Sequence, residues 1–412
     1  MSPAPSSDST QTPSGSPSGL DWLIVGGGIH GVHIAACLMG EAGVDAQRIR
    51  IVDPGARLLE RWRAYTETTG MTHLRSSAVH HLDLNPWSLR RFAGKARSRP
   101  RGMFAPPYDR PRLSLFNDHC DRVIETFDLQ RLHIRARAAA CTVGCEGVTV
   151  RLSTGQEVET RQVVLAVGSS EQPAWPTWAP RGTPRVQHIF DPGFDDWPHD
   201  VEDITVVGGG ISAAQVALRL HAQGRRVHLV SRHPLREHQF DSDPGWLGPR
   251  FMEGFRRERD ADRRRALITN ARHRGSVPPD VHRKLRRAIA RQQIDWHEGE
   301  VEALLLRDGY PSVHLNDGRV LNTHHVLLAT GFETRRPGGA LVDDLVASAS
   351  LPCAQCGYPM VDTSLRWHPR VYVSGPLAEL ELGPVSRNIA GARRAAERVV
   401  ASARAHSVGP PT

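Results

Sequence analysis

The apolar residues of this chain fall into two similar arrangements, one near the start and one in the middle. Each begins with a short continuous apolar run, 23–25 or 204–207, which is typical of a buried strand. A glycine-rich turn follows, and then a helix-like pattern, over 29–41 in the first copy. A second apolar run, 48–53 or 226–230, completes each copy. The order strand, helix, strand predicts an α/β fold with parallel sheets.

The stretches between and after the two arrangements predict how they are connected. Residues 54–112 are irregular, with one short helix over 86–93. Apolar and polar positions then alternate over 132–164, which predicts a small β-meander. After the second arrangement, a strand at 371–373 and a helix near 386–403 return the chain to the first domain. The second domain is therefore expected to be inserted into the first.

Both glycine-rich turns match a dinucleotide-binding fingerprint. The key positions are Gly26, Gly28 and Gly31 in the first copy, and Gly208, Gly210 and Ala213 in the second. The first glycine permits a tight turn, the second lets the backbone approach a pyrophosphate, and the third position allows close packing of helix on strand. The helix N-terminus then binds the phosphates. Because each turn lies between a strand and a helix, the sequence predicts two dinucleotide sites.

The residue after the second strand distinguishes the two sites. Asp53 ends that strand in the first copy, where a carboxylate binds the ribose of FAD or NAD. The second copy has Ser231, Arg232 and His233 there, without a carboxylate. Arg232 suits the 2′-phosphate of NADPH, although a solvated loop cation is the alternative. The sequence therefore predicts FAD in the first site and NADPH in the second, with electrons passing between them.

The expected fold class is α/β, with two Rossmann-like dinucleotide-binding domains, the NADPH domain inserted into the FAD domain, and a small β-meander. The predicted boundaries, in chain order, are 1–20 for a disordered tail, 21–200 for the first part of the FAD-binding domain, 201–332 for the NADPH-binding domain, 333–403 for the return segment of the FAD-binding domain, and 404–412 for a tail.

Composition favours a cytoplasmic enzyme and no membrane or nucleic-acid partner. No apolar stretch approaches the length of a membrane span, and residues 1–19 lack the apolar segment of a signal peptide. Six scattered cysteines do not resemble a disulfide framework, which makes a reducing compartment the default. The net charge of +8 comes from arginines concentrated over 250–291. Aromatic residues are sparse there, so a solvated helix face is favoured over a nucleic-acid surface.

One cysteine pair has the CxxC spacing of redox dithiols and of half a zinc site, namely Cys353 and Cys356. Disulfide reductases place their pair soon after the first fingerprint or within the NADPH domain. Residues 54–119 contain no cysteine, and Cys353 lies beyond the predicted NADPH domain. A reduced, structural pair is therefore favoured over a catalytic dithiol or a zinc site, and no metal site is predicted.

Taken together, these motifs resemble class B-like FAD- and NADPH-dependent flavoprotein monooxygenases. The lysine/ornithine N-hydroxylating branch of these two-dinucleotide-binding-domain flavoproteins is nearest. The resemblance rests on the two fingerprints, of which the second runs from Gly208 to Ala213, and on the strand end Ala329-Thr330-Gly331. Disulfide reductases carry Gly-Asp where this chain has Gly375-Pro376, which argues against them and is compatible with the N-hydroxylating branch. It implies that NADPH reduces FAD, that oxygen then gives a C4a-peroxyflavin, and that this species hydroxylates an amine nitrogen of a small molecule. The protein supplies positioning and water exclusion.

The fingerprints and the resemblance together assign the candidate site residues. Candidates for cofactor binding are Gly26, Gly28, Ile29, His30, Gly31, Asp53, Trp62, Gly168, Gly208, Gly210, Ile211, Ser212, Arg232, Gly331, Gly375, Pro376 and Leu377. His73 and Arg75 are the catalytic candidates, because the chain should pass the flavin there. The alternative is that both side chains bond to loop backbone. Residues 241–255 look like a substrate-proximal insert.

Three functions remain open on the sequence alone. The first is the monooxygenase, acting on a small-molecule substrate with oxygen and compatible with a homo-oligomer. The second is an NAD(P)H-dependent flavoprotein reductase or oxidase of the thioredoxin-reductase-like group, acting on a dithiol or a quinone. The third is an FAD-binding regulatory protein without catalysis.

Overall fold

A computed structural model describes residues 19–95, 100–198 and 201–407 of the chain. Most of the predicted tail at 1–20 lies outside these ranges, but Leu20 already begins the first strand. The predicted tail at 404–412 is only partly outside them, because the last helix continues to Ser407. None of the helices in the described ranges combines the length and the apolar character that crossing a membrane requires.

The strands, in chain order, are β1 (Leu20–Val25), β2 (Ile49–Asp53), β3 (Phe104–Ala105), β4 (Arg110–Pro111), β5 (His133–Arg135), β6 (Ala138–Val143), β7 (Val148–Leu152), β8 (Glu157–Leu165), β9 (Val186–His188), β10 (Asp203–Val207), β11 (Arg226–Ser231), β12 (Arg236–Glu237), β13 (Ser276–Val277), β14 (Asp295–Glu298), β15 (Val301–Arg307), β16 (Tyr310–Leu315), β17 (Val320–Asn322), β18 (His325–Leu328), β19 (Arg366–His368) and β20 (Val371–Val373). The helices are α1 (Ile29–Gly40), α2 (Glu60–Thr68), α3 (Ser88–Phe92), α4 (Leu113–Thr126), α5 (Ile211–Ala222), α6 (Pro249–Arg257), α7 (Ala261–Ala271), α8 (Pro279–Ala290), α9 (Gly339–Ser348), α10 (Glu379–Leu382) and α11 (Ile389–Ser407).

The first sheet is built from both ends of the chain. Its strand order is β19-β20-β8-β1-β2-β5, with β6 and β7 attached to β8 as an antiparallel meander. The neighbours of β1 are parallel to it, and β20 is parallel to β8. Since β19 and β20 follow the second sheet in the chain, the first domain is split and the second domain is inserted into it, as predicted. Helices α1 and α11 pack together on one face of this sheet.

The second sheet is parallel throughout, with the order β14-β11-β10-β18-β9. Its edge strand β9 pairs with β18 and precedes the predicted domain boundary at 201. The second domain therefore takes in residues that the sequence analysis assigned to the first part of the FAD-binding domain, 21–200. A strand of three residues between turn-forming residues is too short to show an alternation of apolar and polar positions. Its domain can therefore be assigned only from the strand with which it pairs.

The irregular stretch at 54–112 contains one helix that the sequence analysis did not predict, in addition to the short helix expected over 86–93. Helix α2 lies within 54–112 and begins after Leu59, which adopts a left-handed backbone conformation and gives no side-chain cap. The helix is polar and half-exposed, and only Thr66 is buried on it. It therefore has neither the apolar stripe nor the start signal by which a helix is normally detected in a sequence.

Candidate functional site

The first fingerprint leaves no room for side chains at two of its glycines. Gly26 has φ +117, and a Cβ built on it would lie 2.6 Å from the carbonyl oxygen of Ala166. A Cβ on Gly31 would lie 1.8 Å from the carbonyl oxygen of Gly26. The Gly26 amide donates to the Val52 carbonyl at 2.8 Å, which fixes the turn against β2. The tight turn and the close approach of α1 to β1 thus both depend on glycine.

Asp53 holds the same loop from the end of β2. Its Oδ2 accepts a hydrogen bond from the Gly27 amide at 2.7 Å, and its Oδ1 accepts one from the Gly55 amide at 2.9 Å. Both bonds keep the carboxylate at the fingerprint, where a ribose hydroxyl can share its remaining lone pairs. The structure therefore places Asp53 where the sequence expected a ribose ligand.

A cleft of about 470 Å³ opens beside this loop. Of the predicted cofactor residues, those that line it are Gly26, Gly28, Ile29, His30, Asp53 and Gly168. Charged residues that the sequence analysis missed line it as well, namely Arg61, Arg137, Glu171 and Arg335. They come from distant segments, so only the folded chain brings them together. The cleft is lined by glycines of the fingerprint and by charged side chains, which fits the adenosine and pyrophosphate of FAD.

Glu171 links two of these arginines at the edge of the cleft. Arg137 Nη1 contacts Glu171 Oε2 at 2.6 Å, and Arg61 Nη1 contacts Glu171 Oε1 at 3.1 Å. Burial opposes the ionisation of Glu171, but the hydrogen bond and charge of Arg137, together with Arg61, outweigh it and lower its pKa. The carboxylate therefore stays ionised and orients both guanidinium groups beside the cleft.

His30 joins the fingerprint to the return segment. Its Nδ1 is hydrogen-bonded to the hydroxyl of Ser374 at 2.7 Å. Burial lowers the pKa of His30 to about 4, so the ring is neutral near pH 7. Gly375 has φ +65, and a Cβ on it would contact the His30 ring at 3.8 Å. The predicted Pro376 and Leu377 follow in a buried 3₁₀ turn, Gly375–Ala378.

The second fingerprint repeats the geometry of the first. The Gly208 amide donates to the Val230 carbonyl at 2.9 Å, and a Cβ on Gly208 would lie 2.4 Å from the carbonyl oxygen of Ala329. Gly210 caps α5, whose first residues are the predicted Ile211 and Ser212. The predicted Gly331, at φ +81, follows the neighbouring strand β18. Both domains therefore present the N-terminus of a helix above a glycine turn.

The strand register identifies the counterpart of Asp53 in the second domain. Val25 is paired with Val52 in the first sheet, and Val207 is paired with Val230 in the second. The residue after Val230 is Ser231, whose hydroxyl donates to the His233 carbonyl at 2.9 Å. The carboxylate of the first site is thus replaced by a neutral hydroxyl.

Arginines surround this second loop. Arg232 is exposed directly after β11, and Arg274 precedes Gly275, whose Cα would lie 3.6 Å from a Cβ on Gly210. The pKa of Arg274 is lowered, first by loss of hydration and then by the charges of Arg387, Arg265 and Arg232. Arginine side chains that repel one another in this way create a positive potential, which favours the binding of an anionic ligand.

The two catalytic candidates are bonded to backbone. His73 donates from Nε2 to the Gly102 carbonyl at 2.8 Å. Arg75 donates to the carbonyls of Gln239 and His238 at 2.8 and 2.7 Å, and burial lowers its pKa to about 10. These bonds correspond to the alternative interpretation of both residues, and Arg75 additionally ties the long loop of the first domain to the second domain.

Trp62 does not belong to the residues that line the cleft. Its Nε1 donates to Asn117 Oδ1 at 3.1 Å, and its ring packs on Phe116 with centroids 5.6 Å apart. The side chain joins α2 to α4. A role for Trp62 in cofactor binding stays a prediction.

A buried carboxylate between the domains was not anticipated. Glu379 on α10 is fully buried and forms ion pairs with Arg265, Arg272 and Arg387. Arg265 lies on α7 of the second domain, Arg272 directly follows that helix, and Arg387 belongs to the return segment. Burial and the charge of Arg387 lower the pKa of Arg272 to about 9. Nothing local in the sequence marks Glu379 as buried, because its partners lie far away in the chain.

The described residues contain no group of three or more His, Cys, Asp or Glu side chains that could hold a metal ion.

Comparison with known families identifies these domains. Residues 23–170 match the FAD-NAD(P)-binding family, and residues 116–308 match the L-lysine 6-monooxygenase/L-ornithine 5-monooxygenase family. Two parts of this chain therefore match the cofactor-binding and the monooxygenase domains of flavin-dependent enzymes. These matches support FAD and NADP(H) as the cofactors and an oxidoreductase activity. A comparison with curated protein sequences found no match.

Solved structures show the same fold as this flavoprotein. The ornithine N-hydroxylase of Kutzneria sp. 744 has a TM-score of 0.76 at 17% identity, over 94% of this chain and 100% of that one. The ornithine hydroxylase of Pseudomonas aeruginosa has a TM-score of 0.75 at 19% identity, over 94% and 99%. The bacillithiol disulfide reductase of Bacillus cereus has a TM-score of 0.61 at 14% identity, over 94% and 99%. At these identities the likeness concerns the fold.

Proposed function

We propose that this flavoprotein uses FAD, NADPH and dioxygen to hydroxylate an amine nitrogen of a small molecule. The observation that carries the proposal is the match of residues 116–308 to the lysine and ornithine monooxygenases, a region that contains the whole second fingerprint. The structural likeness to two ornithine hydroxylases supports an amino acid with a terminal side-chain amine as the substrate class.

The first cleft supplies the groups that FAD requires. The glycines of the first fingerprint admit the pyrophosphate at the N-terminus of α1, and Asp53 stands at the ribose position. The neutral ring of His30 lines the cleft as well. It offers one hydrogen bond to the flavin nucleotide. Bound FAD supplies the hydride acceptor and the oxygen chemistry, and the chain holds and shields it.

The second site supplies the preference for NADPH over NADH. Ser231 replaces the carboxylate that would repel a 2′-phosphate, and Arg232 follows it in the chain. Guanidinium groups bind phosphate with paired hydrogen bonds, and their charge is permanent. Arg274 adds a second cation on the facing loop. We therefore assign the recognition of the 2′-phosphate to Arg232, with Arg274 as its neighbour.

The position of the cysteine pair disfavours the alternative function as a disulfide reductase. The residues that line the first cleft include no cysteine, and Cys353 and Cys356 lie after α9. A dithiol acceptor for flavin electrons would need to reach the isoalloxazine ring itself. The described geometry therefore favours a soluble small molecule and oxygen as the partners of the reduced enzyme.

Purified protein loaded with FAD provides the test. NADPH-dependent oxygen uptake is measured with L-ornithine, L-lysine and other terminal amines, together with the hydroxylamine product and hydrogen peroxide. We expect one amine to raise hydroxylamine at the expense of peroxide, with NADPH preferred to NADH. Reduction of disulfides or quinones without any hydroxylated amine would refute the proposal and establish the reductase.

A further inference from the structure

Cys353 and Cys356 lie in a short turn between α9 and β19. Cys353 forms an isolated antiparallel bridge with Pro359, and the Ala354 amide donates to the Tyr358 carbonyl at 2.9 Å. The Gly357 amide donates to the Ala354 carbonyl at 2.8 Å and closes a β-turn that contains Cys356. Residues 353–359, here called the dithiol turn, thus bring both cysteines into one compact hairpin-like segment.

The two thiols differ from each other in a useful way. Cys356 is exposed, whereas Cys353 is half-buried, and both are free. Arg336 donates from Nη1 to Cys353 Sγ at 3.5 Å. Burial raises the pKa of Cys353, while the charge and hydrogen bond of Arg336 oppose that shift and Cys356 is close enough to add to it. An accessible thiol therefore stands next to one that is held in place beside a cation.

The dithiol turn contacts the interface between the two domains. The guanidinium of Arg265 stacks on the ring of Tyr358, with its Cζ 4.1 Å from the ring centroid. The Tyr358 hydroxyl accepts a hydrogen bond from Arg387 at 2.9 Å. Both arginines bind the buried Glu379. The Cys356 amide also donates to Asp262 Oδ1 on α7 at 3.2 Å. The dithiol turn is therefore in direct contact with α7 of the second domain.

The other cysteines have no comparable setting. Cys37, Cys120 and Cys141 are buried, and burial raises the pKa of each thiol. Buried apolar thiols of raised pKa are chemically inert. Cys145 is exposed but is not paired in a CxxC, so it provides an internal comparison for exposure alone.

We propose that Cys353 and Cys356 form a redox modification site, which hydrogen peroxide converts from a dithiol to an intramolecular disulfide. The Cys356 thiolate attacks one peroxide oxygen, the oxygen–oxygen bond breaks, and hydroxide leaves, which gives a sulfenic acid. The Cys353 sulfur then displaces the hydroxyl group, so that a disulfide and water form. In total, two thiols and one peroxide become one disulfide and two waters. The disulfide closes the dithiol turn and stiffens the contact of Tyr358 with α7.

The experiment uses the full-length holoprotein, first reduced and then titrated with hydrogen peroxide. Intact mass and peptide mapping follow the oxidation, and the thermal midpoint is measured before and after it. We expect a product lighter by two hydrogens, a crosslink between Cys353 and Cys356, full reversal by dithiothreitol, and a higher midpoint. Cys145→Ser should behave like the unmodified sequence, because that cysteine takes no part.

Two variants separate the steps. Cys353→Ser should leave Cys356 to accumulate as a sulfenic acid, trapped by dimedone, with no rise of the thermal midpoint. Cys356→Ser should give neither product at equal peroxide. Oxidation of Cys356 to sulfinic acid in the unmodified sequence, without a crosslink, would overturn the proposal. A crosslink that leaves the midpoint unchanged would overturn the coupling to α7. These readouts do not depend on the monooxygenase activity.

Discussion

Replacement of Glu379 by glutamine tests whether the buried ion network joins the two domains. The side chain of Glu379 is fully buried, and those of Arg265, Arg272 and Arg387 are 13–20% exposed. Glutamine keeps the shape and one acceptor, but it removes the only carboxylate that these ion pairs share. The three guanidinium groups then lose the carboxylate that they share and repel one another at close range.

The expected cost follows from the burial of the network. Removal of one partner from a buried ion pair destabilises a protein by about 3–5 kcal/mol, because the remaining charge stays desolvated. An exposed pair such as Glu253–Arg257, with side chains 64% and 75% exposed, is worth only about 0.3–0.5 kcal/mol. We therefore expect Glu379→Gln to reduce the free energy of unfolding by several times more than the matched variant Glu253→Gln.

Urea unfolding, followed by fluorescence, measures both variants. At an m-value of roughly 3 kcal/mol/M, Glu379→Gln should lower the first unfolding midpoint by about 1–1.7 M. The double variant Glu379→Gln/Arg265→Met should lose less than the sum of the single variants, since it removes one of the opposed cations. Equal midpoints for Glu379→Gln and Glu253→Gln would refute the reasoning, because the network would then contribute no more than a surface pair.

Three further predictions concern the cofactor sites and the pH. Gly31→Ala should yield protein without bound flavin, because the added Cβ would lie 1.8 Å from a carbonyl oxygen. The control Gly254→Ala should retain FAD, because a Cβ at that position has no atom within 4 Å. The flavin absorbance of the two purified variants tests this. Arg232→Ala should raise the KM for NADPH by roughly 10- to 100-fold and leave that for NADH nearly unchanged, as expected for loss of a charge-assisted hydrogen bond; an equal effect on both would exclude a 2′-phosphate contact. Stability should fall as the pH drops below about 6.5, because the histidines of the unfolded chain then take up protons. Buried histidines of the folded protein stay neutral until about pH 4 or 3. Each of them should therefore lower the free energy of unfolding by up to about 1.4 kcal/mol for each pH unit. These histidines are His33, His81, His188 and His325. Urea unfolding midpoints measured between pH 7 and 5 test this prediction, and midpoints that do not change with pH would contradict it.

The parts of the site that the sequence predicts are those with local causes. Gly26 is required by its positive φ and Gly31 by a contact within its own turn, so their spacing carries the information by itself. The absence of a carboxylate after Val230 is equally local. The strand register shows that Ser231 is the counterpart of Asp53 in the second domain. The fold class and the insertion of the second domain follow from such signals, because each strand, turn and helix lies within a single window of residues.

The parts that escaped prediction depend on distant segments. Arg137 and Glu171 meet at the first cleft only because the meander and the connection to β9 fold back on the fingerprint. Strand β9 itself is defined by its pairing with β18 rather than by its own three residues. Arg75 was expected at the flavin from its position in the chain, yet three of its hydrogen bonds reach the second domain.

The same distant contacts determine how the two cofactor sites face each other. An apolar cluster bridges the domains, with Trp246, Met252, Phe255 and Ile268 on one side and Ala354, Tyr358, Leu380 and Val385 on the other. Glu379 and its arginines lie beside it, and Glu381 adds ion pairs to Arg264 of α7 and Arg398 of α11. Hydride transfer requires the two rings to approach within contact distance, and a misplacement of about 1 Å can cost 100-fold in rate. We therefore expect the apolar and ionic contacts at this boundary to affect catalysis through the relative placement of the two cofactor sites. Variants at Glu379 should lower the rate of flavin reduction by NADPH more than they lower the affinity for FAD.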